Sequence, residues 1–119
     1  MNTREKWAEM QEDGQYQYVE KALSNAEARK NIPVFSGLLK YFPNALKEVA
    51  KCSKAGNDQH HPDKALHWDM NKSTDEYDAL TRHLIDHTVN PVDDDNILHL
   101  TKVAWRALAG LERYLTDKL

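Results

Sequence analysis

The stretch "ILHLTKVAWRALAGLERYL", residues 97–115, decides the fold class of this 119-residue chain. A mainly apolar stripe recurs here every three or four residues, and it consists of Ile97, Leu100, Thr101, Ala104, Leu108, Leu111 and Leu115. This is the period of an α-helix that buries one face. We therefore predict a long helix from about Ile97 to Leu115. Because no segment shows the alternation of a β-strand, the expected fold is all-α, a small antiparallel helical bundle.

Cap residues, proline and glycine divide the preceding chain into further helices. Asn2 is a suitable cap for a first helix, and a second helical pattern lies near Tyr16–Arg29. Pro43 suits the first turn of a third helix. The pair Gly56 and Asn57 is a stop signal, so we expect that helix to end there.

A long polar loop, "GNDQHHPDKALHWDMN", follows this stop signal. Loops of this length in a compact domain usually carry a function. Ser73 and Glu76 then form a capping box that is expected to begin the next helix. The length of the chain favours a single domain over residues 1–119.

Composition limits the classes of partner. The formal net charge is -3, so the basic excess of a general nucleic-acid binder is missing. Cys52 is the single cysteine, which excludes an internal disulfide. No stretch reaches the roughly 18 apolar residues that span a bilayer, and the charged N-terminus lacks the apolar run of a signal peptide. We expect a cytoplasmic protein without nucleic-acid or membrane partners.

The segment "DEYDALTRHLID" places three carboxylates and one guanidinium in a line on a helix, namely Asp75, Asp78, Arg82 and Asp86. One interpretation is a solvated face with ion pairs worth about 0.2–0.5 kcal/mol each. The other is one wall of a metal–phosphate site. Asp75 and Asp78 lie one turn apart, and Glu48 on the preceding helix could complete a set of oxygen ligands for Mg²⁺ or Mn²⁺. Arg82 would then bind phosphate.

Several other polar and aromatic residues permit two interpretations. Trp68 could stack on a base or anchor the long loop. His83 could donate to phosphate or be a partly buried structural histidine. The six histidines leave a zinc or iron site as a less favoured alternative. A basic line on the last helix is either a solvated face or a contact with phosphates or another subunit, and it comprises His99, Lys102, Arg106 and Arg113.

Four segments occur in a familiar order between about Leu38 and Leu115: "PNALKEVAKCSKAGN", the "HW" of the loop, "DALTRHL" and "DDDNILHLTKVAWRALAGLE". This order resembles the phage dATP/dGTP diphosphohydrolases, which are related to the MazG-like nucleotide pyrophosphohydrolases. The resemblance implies an all-α oligomeric enzyme, a dimer or tetramer, that uses Mg²⁺ or Mn²⁺. It implies hydrolysis of dGTP, or of dATP, to the monophosphate and pyrophosphate. In such phages the dGMP product can supply synthesis of 2-aminoadenine DNA.

Site residues follow from this resemblance by position. MazG-like enzymes usually carry the motifs E-x-x-E and E-x-x-D; Asp75-x-x-Asp78 resembles the second, and Glu48 resembles what remains of the first. The expected metal ligands are therefore Glu48, Asp75 and Asp78. The expected catalytic residues are Glu48, Asp78 and Arg82, and the expected substrate-binding residues are Lys51, Trp68, Lys72 and His83. The second glutamate of E-x-x-E is missing, because the positions three residues before and after Glu48 are occupied by alanine (45) and lysine (51). Further metal ligands therefore stay open among His60, Asp86, Asp95 and His99.

Two other classes of protein remain compatible with the sequence. One is a non-catalytic helical interaction protein of a phage, in which the charged stripes are binding faces. The other is a metal-dependent phosphohydrolase of a different family that uses the histidines. Metal-dependent release of pyrophosphate from a deoxynucleotide would distinguish the expected enzyme from both.

Overall fold

The computed structural model describes residues 25–72 and 74–118, and the regular elements in these ranges are helical. They are α1 (Ala26–Lys30), a π-helical turn (Phe35–Leu39), α2 (Pro43–His60), α3 (Glu76–Val89) and α4 (His99–Lys118). The all-α prediction is confirmed. The predicted cap at Asn2 and most of the helix predicted near Tyr16–Arg29 lie outside the described residues. Of the helices in the described ranges, none combines the length and apolar character needed to cross a membrane.

The described chain divides into two compact units. Residues 42–113 form the helical unit, which contains α2, α3 and most of α4, together with every described residue that the sequence assigned to a site. Residues 25–41 and 114–118 belong to the other unit, where Asn25 caps α1 by accepting a hydrogen bond from the backbone N–H of Ala28 at 2.8 Å. The assignment of residues 1–119 to a single domain stays a prediction.

The beginnings of α2 and α3 test the predicted helix starts. Pro43 occupies the first turn of α2, as predicted. The capping box is wrong, because α3 begins at Glu76 and its N-cap is Asp75 rather than Ser73. The physical reason is the side chain of Glu76. It is buried in an ion pair with Arg113 of α4 instead of reaching back to the cap.

The predicted end of α2 is also wrong, because the helix continues through Gly56 and ends at His60. Asn57 is buried inside the helix, and its side-chain amide bonds to the loop that follows. Its Nδ2 donates to the carbonyl of Lys64 at 3.2 Å, and its Oδ1 accepts from the backbone N–H of His67 at 3.3 Å. Asn57 therefore fixes the loop to α2 rather than terminating the helix.

Helices α3 and α4 pack antiparallel, as three contacts show: Glu76 with Arg113, Tyr77 with Gly110, and His83 with His99. The close approach depends on small residues. A Cβ at Gly110 would lie 2.8 Å from a ring carbon of Tyr77, so a larger residue there would force that ring to move. Ala79 of α3 and Ala109 of α4 are likewise buried.

The sequence predicts the stripe of α4 given above and, for α3, an apolar arc of Tyr77, Leu80, Thr81, Leu84 and Ile85. Both differ from the faces that the structure buries. Thr101 is buried as predicted, but the other residues that α4 buries are His99, Ala109 and Gly110. Several residues of the predicted stripes are instead roughly half exposed: Tyr77, Leu84, Ile85, Leu100, Leu108 and Leu111. Small residues decide the helix contact because they let the backbones approach, and the larger side chains are left at the surface.

Candidate active site

A cavity of about 560 Å³ lies between α2, α4 and the loop that joins α2 to α3. This volume is in the usual range for small-molecule sites, about 300–1,000 Å³. One wall is aromatic: the rings of Trp68, from the loop, and Trp105, from α4, meet edge to face with centroids 5.7 Å apart. We call this space the tryptophan cavity.

Hydrogen bonds to the loop backbone place Trp68 on this wall. Asn57 holds the N–H of His67 and the carbonyl of Lys64, as described above. The Nδ1 atom of His67 lies 3.0 Å from the carbonyl of Ala65, and since a carbonyl only accepts, the ring donates there. Trp68 follows directly in the chain, so its position is fixed by the polar contacts of its neighbours.

Charged side chains line the tryptophan cavity near the start of α3. Lys72 and Arg106 supply positive charge, and Asp75 and Glu76 supply negative charge. A guanidinium nitrogen of Arg106 lies 3.8 Å from carboxylate oxygens of both Asp75 and Glu76. The side chain of Glu76 is only 5% exposed, and its second oxygen contacts Arg113. The cavity therefore combines a stacking surface with cations and carboxylates.

A second cavity, of about 220 Å³, adjoins the tryptophan cavity. The two share five lining residues: Cys52, Gly56, His60, Trp105 and Arg106. The second cavity adds His83 of α3, Asp95 of the acidic turn and Lys102 of α4. A molecule in the first cavity that reaches past Trp105 and Arg106 would thus approach His83 and Lys102.

Three potential metal ligands converge beside the second cavity. The Nδ1 atoms of His83 and His99 lie 3.0 Å apart, and Oδ2 of Asp93 lies 3.9 and 3.8 Å from them. We call these three side chains the His–Asp–His cluster. Within residues 25–72 and 74–118, this is the group of at least three histidine, cysteine or acidic residues whose ligand atoms all lie within 4.8 Å of one another. Lys102 also reaches Asp93, with its Nζ at 2.6 Å, and contacts Asp95 at the same distance.

The acidic turn between α3 and α4 brings Asp93 to this position. The N–H of Asp93 donates to the carbonyl of Ile97, and the N–H of His99 donates to the carbonyl of Pro91, both at 2.9 Å. Asn96 completes the reversal with a φ of 66°, a left-handed conformation that asparagine adopts more readily than most residues. The turn therefore folds back on itself and holds Asp93 beside the first residue of α4.

Charge interactions shift the pKa values of the groups around the cluster. A hydrogen bond from Lys102 is the main cause that lowers the pKa of Asp93. Burial alone would lower the pKa of Lys102, but its hydrogen bonds to Asp93 and Asp95 offset this effect and leave the pKa raised. Burial, aided by the charge of Lys102, lowers the pKa of His83. At neutral pH the carboxylate and the ammonium are charged and the His83 ring is neutral.

The structure brings some of the predicted site residues together and separates others. Trp68, Lys72 and Asp75 line the tryptophan cavity, and His83 lines the second one. The remaining predicted site residues line neither cavity, namely Glu48, Lys51, Asp78 and Arg82. The predicted ligands Glu48, Asp75 and Asp78 do not group in the way that the His–Asp–His cluster does. The catalytic and binding roles given to all these residues stay predictions.

Contacts of the acidic line on α3 follow neither simple interpretation. Arg82 pairs with Asp75 at 3.5 Å, and no ion pair joins it to Asp78 or Asp86 in the described chain. Glu48 pairs with Lys51 at 2.7 Å, where the side chain of Lys51 is 70% exposed and that of Glu48 is 44% exposed. All three carboxylates of the line are exposed, but Asp75 lines the tryptophan cavity, whereas Asp78 and Asp86 line neither cavity.

Interpretation of the sequence left His99 open as a ligand but did not name Asp93. The sequence does carry one signal for this site, because His83 and His87 have the ligand spacing H-x-x-x-H. That signal would have given only half of the answer. His83 joins the cluster, whereas His87 does not. The remaining ligands come from the acidic turn and from α4, which no spacing within one helix reveals.

Fold and site together define a helical protein with a candidate nucleotide site. A family model described as "dATP/dGTP diphosphohydrolase, N-terminal" matches residues 24–119, about four fifths of the chain. The chain belongs to the dATP/dGTP diphosphohydrolase family, which is a family of enzymes, and the resemblance found in the sequence is confirmed. Comparison with curated proteins gives no match, and comparison with solved structures gives none.

Proposed function

We propose that this protein hydrolyses a purine deoxynucleoside triphosphate, dGTP or dATP, to the monophosphate and pyrophosphate with the help of Mg²⁺ or Mn²⁺. One water is consumed: its oxygen bonds to the α-phosphorus, and the bond from that phosphorus to the bridging oxygen breaks. The observation that supports this most is the tryptophan cavity, which combines an aromatic wall with cations and carboxylates. Membership of the family supports the same reaction.

The tryptophan cavity suits the two ends of such a substrate. A purine stacked on Trp68 and Trp105 would gain about 1–3 kcal/mol, the usual contribution of base stacking on aromatic rings. Lys72 and Arg106 would neutralise phosphate charge, which is the main requirement of phosphoryl transfer. Mg²⁺ and Mn²⁺ prefer carboxylate oxygens, and Asp75 is the predicted ligand that lines this cavity.

The same cavity contains a group able to accept the proton of the attacking water. His61 lines it, and its ring lies 4.5 Å from that of His67. Desolvation, followed by the charge of His67, lowers the pKa of His61, which favours the neutral imidazole that can take up a proton. We assign His61 the role of general base.

The reaction is tested by identifying the products made from dGTP and dATP with each metal. In ¹⁸O-labelled water the label should enter the monophosphate, because water attacks the α-phosphorus. Release of single phosphate or of intact triphosphate would contradict the proposal. Trp68→Ala should raise KM for dGTP, whereas Leu66→Ala, an exposed residue of the same loop outside the cavity, should not.

Mutants of the acidic line separate its members. We expect Asp75→Asn to lower turnover by about a hundredfold, or roughly 2.7 kcal/mol of transition-state stabilisation. Asp78→Asn tests the predicted role of that residue: a comparable loss would support it, and near-normal turnover would make Asp78 part of a solvated helix face. Asp86→Asn is the matched control, since this residue is exposed and lies at the far end of the line.

We further propose that the protein acts as a homo-oligomer, a dimer or tetramer, in the cytoplasm of a phage-infected cell, where dGMP would supply synthesis of 2-aminoadenine DNA. Large apolar side chains exposed on α3 and α4 support the assembly, because monomers rarely expose extensive apolar surface. They include Leu84, Ile85, Val89, Leu108 and Leu111. Light scattering that gives a mass near 13.8 kDa at low micromolar concentration would contradict it.

A further inference from the structure

The geometry of the His–Asp–His cluster matches the coordination sphere of a metal ion. Its three donor atoms form a triangle with sides of 3.0, 3.8 and 3.9 Å. The circle through these atoms has a radius of about 2.1 Å, so one point lies at that distance from all three, and metal–ligand distances for imidazole nitrogen and carboxylate oxygen are about 2.0–2.2 Å. An ion at this point would lie at a normal bonding distance from all three donor atoms.

Burial and protonation indicate the same occupant. The side chain of His99 is 7% exposed, and its Nδ1 atom is directed at the cluster. Two facing imidazole nitrogens at 3.0 Å need one proton between them, so one ring must donate and the other accept. A divalent cation would replace that proton and bind both lone pairs.

We propose that His83, Asp93 and His99 form a binding site for a divalent transition-metal ion such as Mn²⁺, Co²⁺ or Zn²⁺, and that Lys102 competes with this ion for Asp93. Two imidazole nitrogens and one carboxylate oxygen suit these ions, whereas Mg²⁺ prefers oxygen ligands alone. This set differs from the three carboxylates expected from the sequence. The site also leaves coordination positions for water or a further ligand.

Lys102 is the built-in competitor. Its ammonium lies 2.6 Å from Oδ2 of Asp93, the same oxygen that faces both histidines. A divalent ion bound to that oxygen would be repelled by the ammonium across a short distance in a partly buried environment, where charges interact more strongly than in water. Loss of this positive charge should therefore strengthen metal binding.

The position of the cluster gives the ion access to the proposed substrate. His83 lines the second cavity, which shares Trp105 and Arg106 with the tryptophan cavity. The metal site nevertheless rests on the geometry of its own ligands. It would stand if the protein acted on a different phosphate ester, so binding is measured without nucleotide.

Metal binding to the full chain, first freed of metal, tests the proposal directly. Calorimetric titration should show one ion of Co²⁺ or Zn²⁺ per chain, bound more tightly than Mg²⁺, and bound Co²⁺ should give a visible absorption band. His83→Gln and Asp93→Asn should each weaken Co²⁺ binding by at least about tenfold. Absence of binding, equal affinity for Mg²⁺, or unchanged binding by His83→Gln would overturn the assignment.

Three further variants provide the control and the test of competition. His87→Gln changes a histidine one turn along α3 that is outside the cluster, and it should leave Co²⁺ binding unchanged. Lys102→Met should tighten Co²⁺ binding by about tenfold, because the competing charge is gone. If the methionine variant does not fold, Lys102→Gln takes its place. It removes the charge but keeps a donor for Asp93, so it should also tighten Co²⁺ binding. Weaker binding by folded Lys102 variants would refute the competition.

Discussion

Glu76 is the residue whose replacement should affect the helical unit most. It is the first residue of α3, and its side chain is 5% exposed. One carboxylate oxygen contacts Arg113, and the other lies 3.8 Å from Arg106. This buried carboxylate therefore joins the start of α3 to α4 and forms part of the tryptophan cavity.

Glu76→Gln keeps the shape of the side chain and removes its negative charge. Removing one partner of a buried ion pair costs about 3–5 kcal/mol, because the remaining charge stays away from water. Arg113 and Arg106 are 26% and 30% exposed, so water can solvate part of their charge. We therefore expect a loss of about 2–3 kcal/mol in the free energy of unfolding, near the value for hydrogen bonds to charged groups.

Urea unfolding followed by circular dichroism measures this loss. A domain of this size should lose roughly 10 °C or more in Tm, since each 1 kcal/mol shifts Tm by about 4–8 °C in domains of 60–100 residues. Asp58→Asn is the control: it removes an ion pair with Lys54 in which both side chains are at least half exposed, and such pairs contribute less than about 1 kcal/mol. A Glu76→Gln protein as stable as this control would refute the assignment of Glu76 as a buried structural charge.

Three further expectations concern other parts of the helical unit. Gly56→Ala should stabilise the protein by about 0.5–1 kcal/mol in thermal unfolding, because Gly56 lies inside α2 and an added Cβ meets nothing within 4 Å. Gly110→Ala is the control and should show no such gain, because its Cβ would lie 2.8 Å from a tyrosine ring. Lys102 lowers the pKa of Asp93 below its ordinary value of 3.8. The Asp93 carboxylate therefore contributes its full stabilisation above pH 3.8, and this stabilisation is lost as the pH falls through the pKa of Asp93 in the folded protein. Metal-free Asp93→Asn protein should thus lose less stability than the wild type during acid titration below pH 4, and an equal loss would contradict the ion pair. Burial raises the pKa of the Cys52 thiol, so alkylation at pH 8 should be slow in the folded protein and fast in urea; equal rates would show an exposed thiol.

Local signals in the sequence were sufficient for the fold class and for one helix boundary. The helical period of residues 97–115 and the missing strand alternation gave the all-α fold, and Pro43 marked the start of α2. The end of α2 was not predictable in this way. Asn57 bonds to residues seven and ten positions later, so its role depends on where the loop returns and not on its neighbours in the helix.

The buried faces of α3 and α4 show why periodicity alone is insufficient. A stripe of leucines indicates a helix that can bury one face, but the contact that forms is decided by how closely two backbones can approach. Gly110 and Ala79 permit that approach, and the ring of Tyr77 packs on the backbone at Gly110. Leu100 and Leu108 are consequently at the surface of this chain, although both belong to the predicted stripe.

For the site, the roles named from the sequence stay predictions, but the structure does bring three of the named residues to one cavity. Trp68, Lys72 and Asp75 lie within eight positions of one another, and all three line the same cavity. The predicted pairing of Asp75 with Glu48 needed a specific orientation of α2 against α3, and the structure does not group them. Asp93 was not predictable as a ligand, because its position depends on the left-handed backbone conformation of Asn96 in the acidic turn.

Antiparallel packing of α3 and α4 links the two charged regions of the helical unit. Glu76 and Arg113 pair near the start of α3, and His83 and His99 pair seven residues further along the same helix. At 1.5 Å per residue this separation is about 10 Å along the helix axis. Arg106 lines both cavities between these regions. Because both regions are fixed on the same pair of helices, Arg106 lies where it can neutralise phosphate charge in either cavity.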